Sequence, residues 1–204
     1  LSKWKCDKPL YDPFCGSGTI AIEAAMIAQN IAPGLYRNFD FEYWAWTNKS
    51  IIEQERKAAK LQKVESNLEI YGSDIDAHSI ELAKQYAKNA GAGDIQFFQR
   101  NMLLNSELRT LKSELEVTSS SALRVESSEF QFVISNSSFV ILTNPPYGLR
   151  LGAEQEVRKL YRQLGKYYLE WKNVEWNILT AYPDIERDFG KQAKRRKLYN
   201  GGIQ

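Results

Sequence analysis

The sequence contains few of the residues on which metal centres and disulfide frameworks depend. It has two cysteines, Cys6 and Cys15, and a single histidine, His78, among 204 residues. Two cysteines cannot build a framework of several disulfides, and one histidine excludes a histidine-rich metal site. We therefore expect no bound metal and a reducing, cytoplasmic setting in which the thiols stay free.

Long apolar runs and a strong excess of one charge are also missing. No stretch has the length and hydropathy of a membrane span, and no signal-peptide pattern is present. The formal net charge is only +2 at pH 7, so overall electrostatics do not indicate a nucleic-acid partner. Basic residues are nevertheless concentrated near the C-terminus, at Lys191, Lys194, Arg195, Arg196 and Lys197. This run fits either a solvated helix face or a surface for RNA phosphates.

The chain does contain an alternation of short apolar segments with helical patterns. Helices are predicted from the spacing of apolar residues at 51–67, 77–90 and 154–171, and after the first strand. Strands are predicted near 9–12, 68–76, 95–100, 139–143 and 176–182. The alternation predicts an α/β fold, with a mostly parallel twisted sheet covered by helices on both faces. At this length we expect one domain, with a surface insertion at about 102–138.

A glycine-rich turn follows the first predicted strand. Residues 9–19, PLYDPFCGSGT, lead into a helix, and Gly16, Gly18 and Ala21 fit the G-x-G-x-x-G/A pattern. Glycines let a cofactor approach the backbone, and the helix N-terminus offers free N–H groups. Because no Gly-Lys-Ser/Thr follows, the turn is not a Walker A loop. Cys15 within it is either a cofactor contact or a small buried side chain.

Two carboxylates end the second predicted strand. Asp74 and Asp76 close the segment LEIYGSDID, and a helix opens at Ala77. An acid at this place can accept hydrogen bonds from both ribose hydroxyls of a nucleoside cofactor. The alternative role for either residue is to cap the following helix. We expect Asp74 to lie nearer the ribose and Asp76 nearer the cap.

The fourth predicted strand runs directly into Asn144-Pro145-Pro146-Tyr147. Asn144 offers a side-chain carbonyl, and Pro145 has no N–H but keeps a carbonyl acceptor in a fixed turn. Two acceptors aimed at one planar amino group leave its nitrogen lone pair freer to attack a methyl donor. Tyr147 offers a flat face on which a base can stack. The alternative is a strand that ends in a proline turn with a surface tyrosine.

Together these motifs resemble the catalytic domain of class I S-adenosylmethionine-dependent RNA methyltransferases that usually carry a THUMP domain. This group includes the large-subunit ribosomal RNA guanine-N2 methyltransferases. The matching stretches, in chain order, are 12–20 (DPFCGSGTI), 31–39 (IAPGLYRNF), 72–76 (GSDID), 144–148 (NPPYG) and 196–201 (RKLYNG). The resemblance implies a Rossmann-like fold and S-adenosyl-L-methionine as the cofactor. It also implies an N-terminal RNA-binding domain, which we expect to be missing from a chain truncated at both ends.

The resemblance assigns roles to residues of this chain, position by position. The cofactor-binding residues implied in the turn are Asp12, Pro13, Cys15, Gly16, Gly18 and Thr19. Asp74 would hold the ribose, with Asp76 beside it. Relatives usually have an aspartate after the third strand to hold the adenine amino group. Asn101 stands there in this chain, and its amide oxygen can accept the same hydrogen bond.

The implied catalytic residues are Asn144, Pro145, Pro146 and Tyr147, with the target amine on Asn144 and the Pro145 carbonyl. The expected reaction is methylation of an exocyclic base amine of RNA, foremost guanine N2 in 23S ribosomal RNA, with transfer RNA as another substrate. The tetrapeptide alone leaves open adenine N6 of DNA or RNA and the amide nitrogen of a protein glutamine. A non-catalytic RNA assembly factor that binds the cofactor is a further alternative.

Overall fold

The computed structural model of the chain describes residues 3–102, 138–146 and 154–197. Nearly all of the predicted insertion, as well as Tyr147, lies outside the described residues. The described residues belong to two compact units. The first unit is drawn from Leu1–Pro146 and Lys172–Thr180, and the second from Tyr147–Trp171 and Ala181–Gln204.

The first unit is built on a five-stranded sheet in which every pair of neighbours is parallel. Its strands are β1 (Leu10–Asp12), β2 (Ile70–Asp74), β3 (Gln96–Gln99), β4 (Phe139–Thr143) and β5 (Val174–Ile178). Their order across the sheet is β3-β2-β1-β4-β5. The predicted α/β fold with a parallel sheet is therefore confirmed. The central strand β1 is completely buried, as expected for a parallel strand with covered faces.

In the described part of the first unit, three helices connect the strands: α1 (Thr19–Ala28), α2 (Lys49–Leu61) and α3 (Ala77–Asn89). Helices α1 and α3 pack on the sheet, and Ala21, Ala25, Ile80 and Ala83 are among the buried residues that join them to it. Helix α2 buries none of its residues and ends six positions before the predicted end. The chain leaves the helix early because Val64 donates its N–H to the Gln29 carbonyl.

Strand β5 also differs from its predicted range, because it ends at Ile178 rather than at Tyr182. The last backbone hydrogen bond beside it joins the Leu179 N–H to the Thr143 carbonyl at 2.8 Å. Its neighbour β4 then continues into Pro145 and Pro146, which have no N–H to donate. The ladder stops for that reason, and the residues after it leave the sheet.

An aromatic segment with several exposed rings lies between α1 and α2. The rings of Trp44 and Trp46 are 5.2 Å apart, and Trp46 is 79% exposed. Arg56 of α2 holds this segment by donating to the carbonyls of Leu35 and Arg37. The preceding Tyr36 packs on the glycine that follows the C-terminal end of α3. Since α3 begins at the carboxyl edge of the sheet, Tyr36 lies near the opposite edge.

The second unit consists of α4 (Glu154–Glu170), a short helix α5 (Ile185–Phe189) and the residues around them. Val157, Leu160, Tyr161 and Leu164 of α4 are buried, so the predicted helical stripe forms a core. The Tyr161 ring stacks on Tyr182 with 4.9 Å between ring centres. None of the helices within the described residues is both long and apolar enough to span a membrane.

A buried carboxylate, Asp188, collects several side chains of the second unit. It accepts hydrogen bonds from the Tyr182 hydroxyl, Arg162 and Arg187. Arg158 completes the ion-pair cluster at 3.7 Å. The hydroxyl and the guanidinium groups hold the pKa of Asp188 below its usual range, although its burial acts in the opposite direction. The cluster thereby ties α4 to α5.

Candidate cofactor-binding and catalytic site

The candidate site lies at the carboxyl edge of the sheet, where the strand order changes direction. From the central strand β1, the chain adds β2 and β3 on one side and β4 and β5 on the other. In open α/β sheets such a switch point opens a crevice beyond the carboxyl ends of the strands. Asp12, Asp74 and Asn144 stand at the ends of β1, β2 and β4, so the topology brings all three to this edge.

The glycine-rich turn after β1 has an open backbone. Gly16 and Gly18 have φ angles of 52° and 86°, which side-chain-bearing residues rarely adopt. Among the described residues, apart from its two chain neighbours, no atom lies within 4 Å of the place where a Gly16 Cβ would stand, so the turn is open on that side. Gly18 is the N-cap of α1, and no side chain caps this helix N-terminus. Its N–H groups can therefore serve a ligand.

Two hydrogen bonds fasten the turn to the end of β2, and a third orients the carboxylate that takes part. The N–H of Gly16 donates to Asp74 Oδ2 at 3.0 Å, and the N–H of Cys15 donates to the Ser73 carbonyl at 2.9 Å. The other oxygen of Asp74, Oδ1, accepts from the N–H of Asp76 at 3.0 Å. The Asp74 carboxylate is thus held in one orientation beside the turn. Its contact with a ribose stays a prediction.

Asp76 caps helix α3, as the sequence predicted. It is the N-cap residue, and its carboxylate accepts from the N–H groups of His78 at 3.2 Å and Ser79 at 3.1 Å. The Ser79 hydroxyl also donates to it, at 2.7 Å. These donors, led by the Ser79 hydroxyl, lower the pKa of Asp76. Both oxygens of Asp76 therefore have partners within the chain.

Asp12 is the buried carboxylate of the site, with 1% of its surface exposed. Its Oδ1 accepts from the Thr143 hydroxyl at 2.6 Å and from the N–H of Phe14 at 3.2 Å. Burial raises the pKa of Asp12 to about 6, and the charge of Asp74 adds to that rise. The two hydrogen bonds act in the opposite direction. Asp12 is consequently an anion near neutral pH that a cationic ligand would stabilise.

Cys15 and Pro13 are buried components of the turn. The Cys15 side chain is 7% exposed, and burial is the main cause that raises its pKa. A thiol with a raised pKa is a poor nucleophile, so Cys15 acts here as a small buried group. Pro13 is fully buried as well, whereas Thr19 is exposed at the first turn of α1.

The Asn-Pro-Pro-Tyr tetrapeptide follows β4, and the structure describes it as far as Pro146. Asn144 and Pro146 are exposed, and Pro145 between them is fully buried. Within the described part of the chain, the Asn144 side chain makes no hydrogen bond. Its amide is therefore available to a ligand at this edge. Tyr147 lies outside the described residues, so its stacking role stays a prediction.

Asn101 follows β3 and approaches the same edge. The N–H of the preceding Arg100 donates to the Asp74 carbonyl at 2.8 Å, which extends the β2–β3 pairing beyond the strands. Asn101 is half-buried directly after this bond. The structure thus brings Asn101 to the neighbourhood of Asp74, and its predicted contact with adenine is not tested by this geometry.

Two buried hydroxyl groups in the site were missed from the sequence. The hydroxyls of Tyr11 and Ser73 are joined by a hydrogen bond of 2.7 Å, and both residues have 0% of their surface exposed. Thr143, which bonds Asp12, is equally buried. The only sequence signal was a polar residue within an apolar strand, and this signal does not identify the residue's hydrogen-bond partner. The hydrogen bonds of these hydroxyl groups hold together the ends of β1, β2 and β4 next to the glycine-rich turn.

The arrangement suits a ligand that carries both a positive charge and hydroxyl groups. The carboxylates of Asp12 and Asp74 supply acceptors, and the turn with the α1 N-terminus supplies backbone donors. A neutral acceptor, the Asn144 amide, stands on the other side of Asp12. Among the described residues, no group of three or more His, Cys, Asp or Glu side chains could hold a metal ion.

Two curated relatives align with essentially the whole chain. YpsC of Bacillus subtilis (strain 168), whose name contains the words "RNA methyltransferase", is 38% identical over 211 residues. "Ribosomal RNA large subunit methyltransferase K/L" of Shewanella oneidensis is 36% identical over 213 residues. Both alignments cover 100% of this chain, which spans 47% of the first relative and 26% of the second.

Solved structures have the same fold. A Listeria monocytogenes protein, described with the words "N6-adenine-specific DNA methylase", has a TM-score of 0.77 and 40% identity. Its alignment covers 98% of this chain and 46% of that protein. The protein SMU.472, described as a "methyltransferase complexed with SAH", has a TM-score of 0.74 and 34% identity. That alignment covers 100% of this chain and 48% of SMU.472.

A family model covers almost the entire sequence. It is the UPF0020 model, described as "RMKL-like, methyltransferase domain", and it matches residues 1–119 and 116–201. The matched ranges include the glycine-rich turn, both carboxylates at the end of β2 and the Asn-Pro-Pro-Tyr tetrapeptide. On this match and the relatives above, the chain belongs to the family of RMKL-like methyltransferase domains.

Proposed function

We propose that this chain is the domain of an S-adenosylmethionine-dependent enzyme that transfers a methyl group to an exocyclic amine of an RNA base. The observation that carries the proposal is the hydrogen bond between Asp12 and Thr143. Asp12 belongs to the cofactor turn, and Thr143 directly precedes Asn144 of the amine-binding tetrapeptide. The bond joins the turn that would hold the methyl donor to the segment that would hold the amine, and this supports the proposal.

The residues of the turn fit S-adenosylmethionine. Open space beside Gly16 leaves room for the methionine part against the backbone, and the uncapped N-terminus of α1 can face its carboxylate. Asp12, an anion near neutral pH, suits its positively charged end. Asp74 would accept from the ribose hydroxyls, and Asn101 would accept from the adenine amino group. The relative solved with SAH supports this choice of cofactor.

The tetrapeptide would hold the substrate amine. The exposed Asn144 amide oxygen and the Pro145 carbonyl can accept its two hydrogens, and Tyr147 would stack on the base. Bound S-adenosylmethionine supplies an electrophilic methyl group on a positively charged sulfur. Asn144 and Pro145 contribute by orienting the nitrogen lone pair for in-line attack and by stabilising the charge that develops on the nitrogen. The amine proton leaves to solvent after attack, so no strong base is needed.

RNA is the substrate class that the relatives support. The names of YpsC and of the K/L protein both describe an RNA methyltransferase, and the second name specifies RNA of the large ribosomal subunit. The basic run 191–197 of the second unit is exposed, which suits contact with phosphates. We infer guanine N2 of 23S ribosomal RNA as the target, with transfer RNA as the other RNA candidate. Adenine N6 is the second candidate target, in accord with the Listeria protein's description.

Nucleoside mass spectrometry on RNA tests this proposal. Ribosomal RNA, transfer RNA and DNA are isolated from cells with and without the full-length gene, and their methylated nucleosides are compared. We expect loss of N2-methylguanosine from large-subunit RNA, restored by the wild-type gene and not by Asn144→Ala. Asn67→Ala is the matched control, because Asn67 is an exposed asparagine before β2, away from the tetrapeptide.

The other outcomes separate the alternatives. Loss of N6-methyladenine from RNA or DNA would replace guanine by adenine as the target. Loss confined to transfer RNA would change the substrate. Unchanged nucleosides in all three fractions, with S-adenosylmethionine still bound by the purified protein, would contradict the catalytic role on nucleic acid and leave methylation of a protein glutamine and the non-catalytic assembly factor as the candidates.

A further inference from the structure

A side-chain hydrogen bond joins the glycine-rich turn after β1 to the end of β4, which are the two halves of the candidate site. The Thr143 hydroxyl donates to Asp12 Oδ1 at 2.6 Å across 131 residues of sequence. Both side chains are almost completely buried, with 0% and 1% of their surfaces exposed. A short bond to a carboxylate away from water is among the stronger hydrogen bonds of a protein.

We propose that Thr143 is a positioning residue, which orients the Asp12 carboxylate towards the cofactor and fixes the start of the Asn144 tetrapeptide relative to it. The inference rests on the proposed function, because it assumes that Asp12 faces a bound cofactor. Thr143 thereby has a role in cofactor affinity, although it belongs neither to the glycine-rich motif nor to the Asn-Pro-Pro-Tyr motif.

The first step of the argument concerns the two oxygens of Asp12. Oδ1 receives both donors, the Thr143 hydroxyl and the N–H of Phe14. Oδ2 accepts no hydrogen bond from any residue within the described part of the chain. One oxygen is therefore anchored and the other is left for a ligand. Without the Thr143 hydroxyl, only the longer bond from Phe14 would hold this orientation.

The second step concerns the immobility of Thr143. Strand β4 is paired on both sides, with β1 and with β5. The Thr143 carbonyl accepts from the N–H of Leu179 at 2.8 Å, which fixes the last residue of the strand before Asn144. Because the backbone of Thr143 is fixed, its hydroxyl is a rigid reference point. Asp12 and Asn144 are both positioned from it.

The third step concerns the charges around Asp12. The titratable groups that act on it or that it acts on, among the described residues, are Asp74, Cys15 and Tyr11. Burial raises the pKa of Cys15 and of Tyr11, so both stay neutral near pH 7. Asp74 opposes the ionisation of Asp12, and the Thr143 hydroxyl favours it. Removal of that hydroxyl would therefore make Asp12 harder to ionise.

Calorimetric titration of the full-length protein with S-adenosylmethionine between pH 5 and pH 8.5 tests the inference. The affinity of wild type should fall as Asp12 becomes protonated. In Thr143→Val we expect affinity at pH 7 to be about tenfold weaker, the usual order of effect for a lost hydrogen bond to a charged group. The midpoint of the pH profile should move up by about one unit. Thr143→Ser keeps the hydroxyl and should retain the wild-type midpoint.

Matched controls separate positioning from general loss of stability. Gln29→Leu removes another buried side-chain hydrogen bond of the same unit, the one to Asp94, at the C-terminal end of α1 away from the turn, and it should lower the melting temperature without moving the pH midpoint. If Thr143→Val does not fold, Thr143→Ala serves as the variant without a hydroxyl. A steady-state measurement completes the set: Thr143→Val should raise the KM for S-adenosylmethionine and leave the KM for RNA unchanged.

Two negative results would contradict different proposals, the role of Thr143 in one case and the proposed function in the other. Wild-type affinity and an unmoved midpoint in a folded Thr143→Val or Thr143→Ala protein would overturn the inference, while methyl transfer by the wild type would keep the proposed function intact. Failure of the wild-type protein itself to bind S-adenosylmethionine would overturn the proposed function, whatever the variants do.

Discussion

Asp74 Oδ2 accepts a hydrogen bond from the backbone N–H of Gly16 at 3.0 Å, although the two residues are 58 positions apart. The bond places the carboxylate against the open side of the glycine-rich turn. Asp74→Ala removes this bond and the proposed ribose acceptor together. We expect S-adenosylmethionine affinity to fall by at least about tenfold, measured by calorimetry, because hydrogen bonds to a charged group are among the stronger ones.

Asp76→Ala is the natural comparison for that variant. Its carboxylate is fully used as the cap of α3, so its loss should lower the melting temperature and leave cofactor affinity close to wild type. If Asp74→Ala bound the cofactor normally and Asp76→Ala did not, the ribose role would pass from Asp74 to Asp76.

Asn144→Ala should separate catalysis from cofactor binding. Its side chain makes no hydrogen bond within the described part of the chain, so folding should be little affected. We expect the kcat for methyl transfer to fall by roughly 100- to 1,000-fold, as when one preorganised polar group is removed from an active site. Affinity for S-adenosylmethionine should stay within a few-fold of wild type. Equal losses in kcat and in cofactor affinity would contradict the amine-binding role.

Asp12 should make the stability of the protein depend on pH. Burial raises its pKa to about 6 in the folded chain, from an ordinary value of 3.8. Well below its ordinary pKa of 3.8, Asp12 is protonated in both the folded and the unfolded chain, and it does not affect stability. As the pH rises from about 4 to about 6, the unfolded chain releases this proton while the folded chain still holds it, so the free energy of unfolding decreases and then levels off. The difference corresponds to about 3 kcal/mol at pH 7.

Urea denaturation of wild type and Asp12→Asn between pH 4 and pH 7.5 would measure this effect. The asparagine variant has no charge to bury, and its stability relative to wild type should increase from pH 4 to pH 6 and then level off. A stability difference that does not change with pH would show that Asp12 titrates at its ordinary value. The measurement is made without cofactor, since a bound cation would lower the pKa of Asp12.

Gly165→Ala should destabilise the second unit, although helix propensity alone predicts the opposite. Alanine is favoured over glycine in a helix by about 1 kcal/mol. A Cβ at residue 165 would, however, lie only 2.1 Å from the Phe189 carbonyl oxygen. Helix α4 and α5 would have to separate, at a cost of about 2 kcal/mol or more.

Hydrogen exchange followed by mass spectrometry can locate that change. Peptides from α4 and α5 should lose protection in Gly165→Ala, and peptides from the sheet should keep it. Lys166→Ala is the control, because Lys166 is exposed on the same helix. Unchanged protection of α4 and α5 in Gly165→Ala would show that the close approach to Phe189 relaxes without cost.

The sequence predicted those parts of the fold that depend on local signals. The apolar run 139–143 ends at two prolines, and the observed β4 has the predicted bounds. Helix α3 begins at its predicted first residue, because Asp76 supplies the cap. The end of β5 was wrong by four residues, since it depends on where its neighbour β4 runs into prolines. The start of β5 likewise depends on pairing with β4.

The site was predicted only as a set of motifs. Positions of Asp12, Asp74 and Asn144 at three strand ends follow from the parallel α/β pattern. Their mutual contacts do not, because Thr143 and Asp12 are 131 residues apart, and Tyr11 and Ser73 are 62 apart. No local pattern identifies a partner at such a distance. The roles in ribose, adenine and amine binding are predictions still to be tested.

The three-residue central strand β1 has a consequence for the order of folding. It pairs with β2 on one side and with β4 on the other. During synthesis, the turn and β2 are complete long before β4 has left the ribosome. The growing chain can close the bond between Gly16 and Asp74 early, but Asp12 must wait for Thr143. Contacts of such long range slow folding, so the pairing of β1 with β4 and the bond between Asp12 and Thr143 should be among the last parts of the sheet to become native.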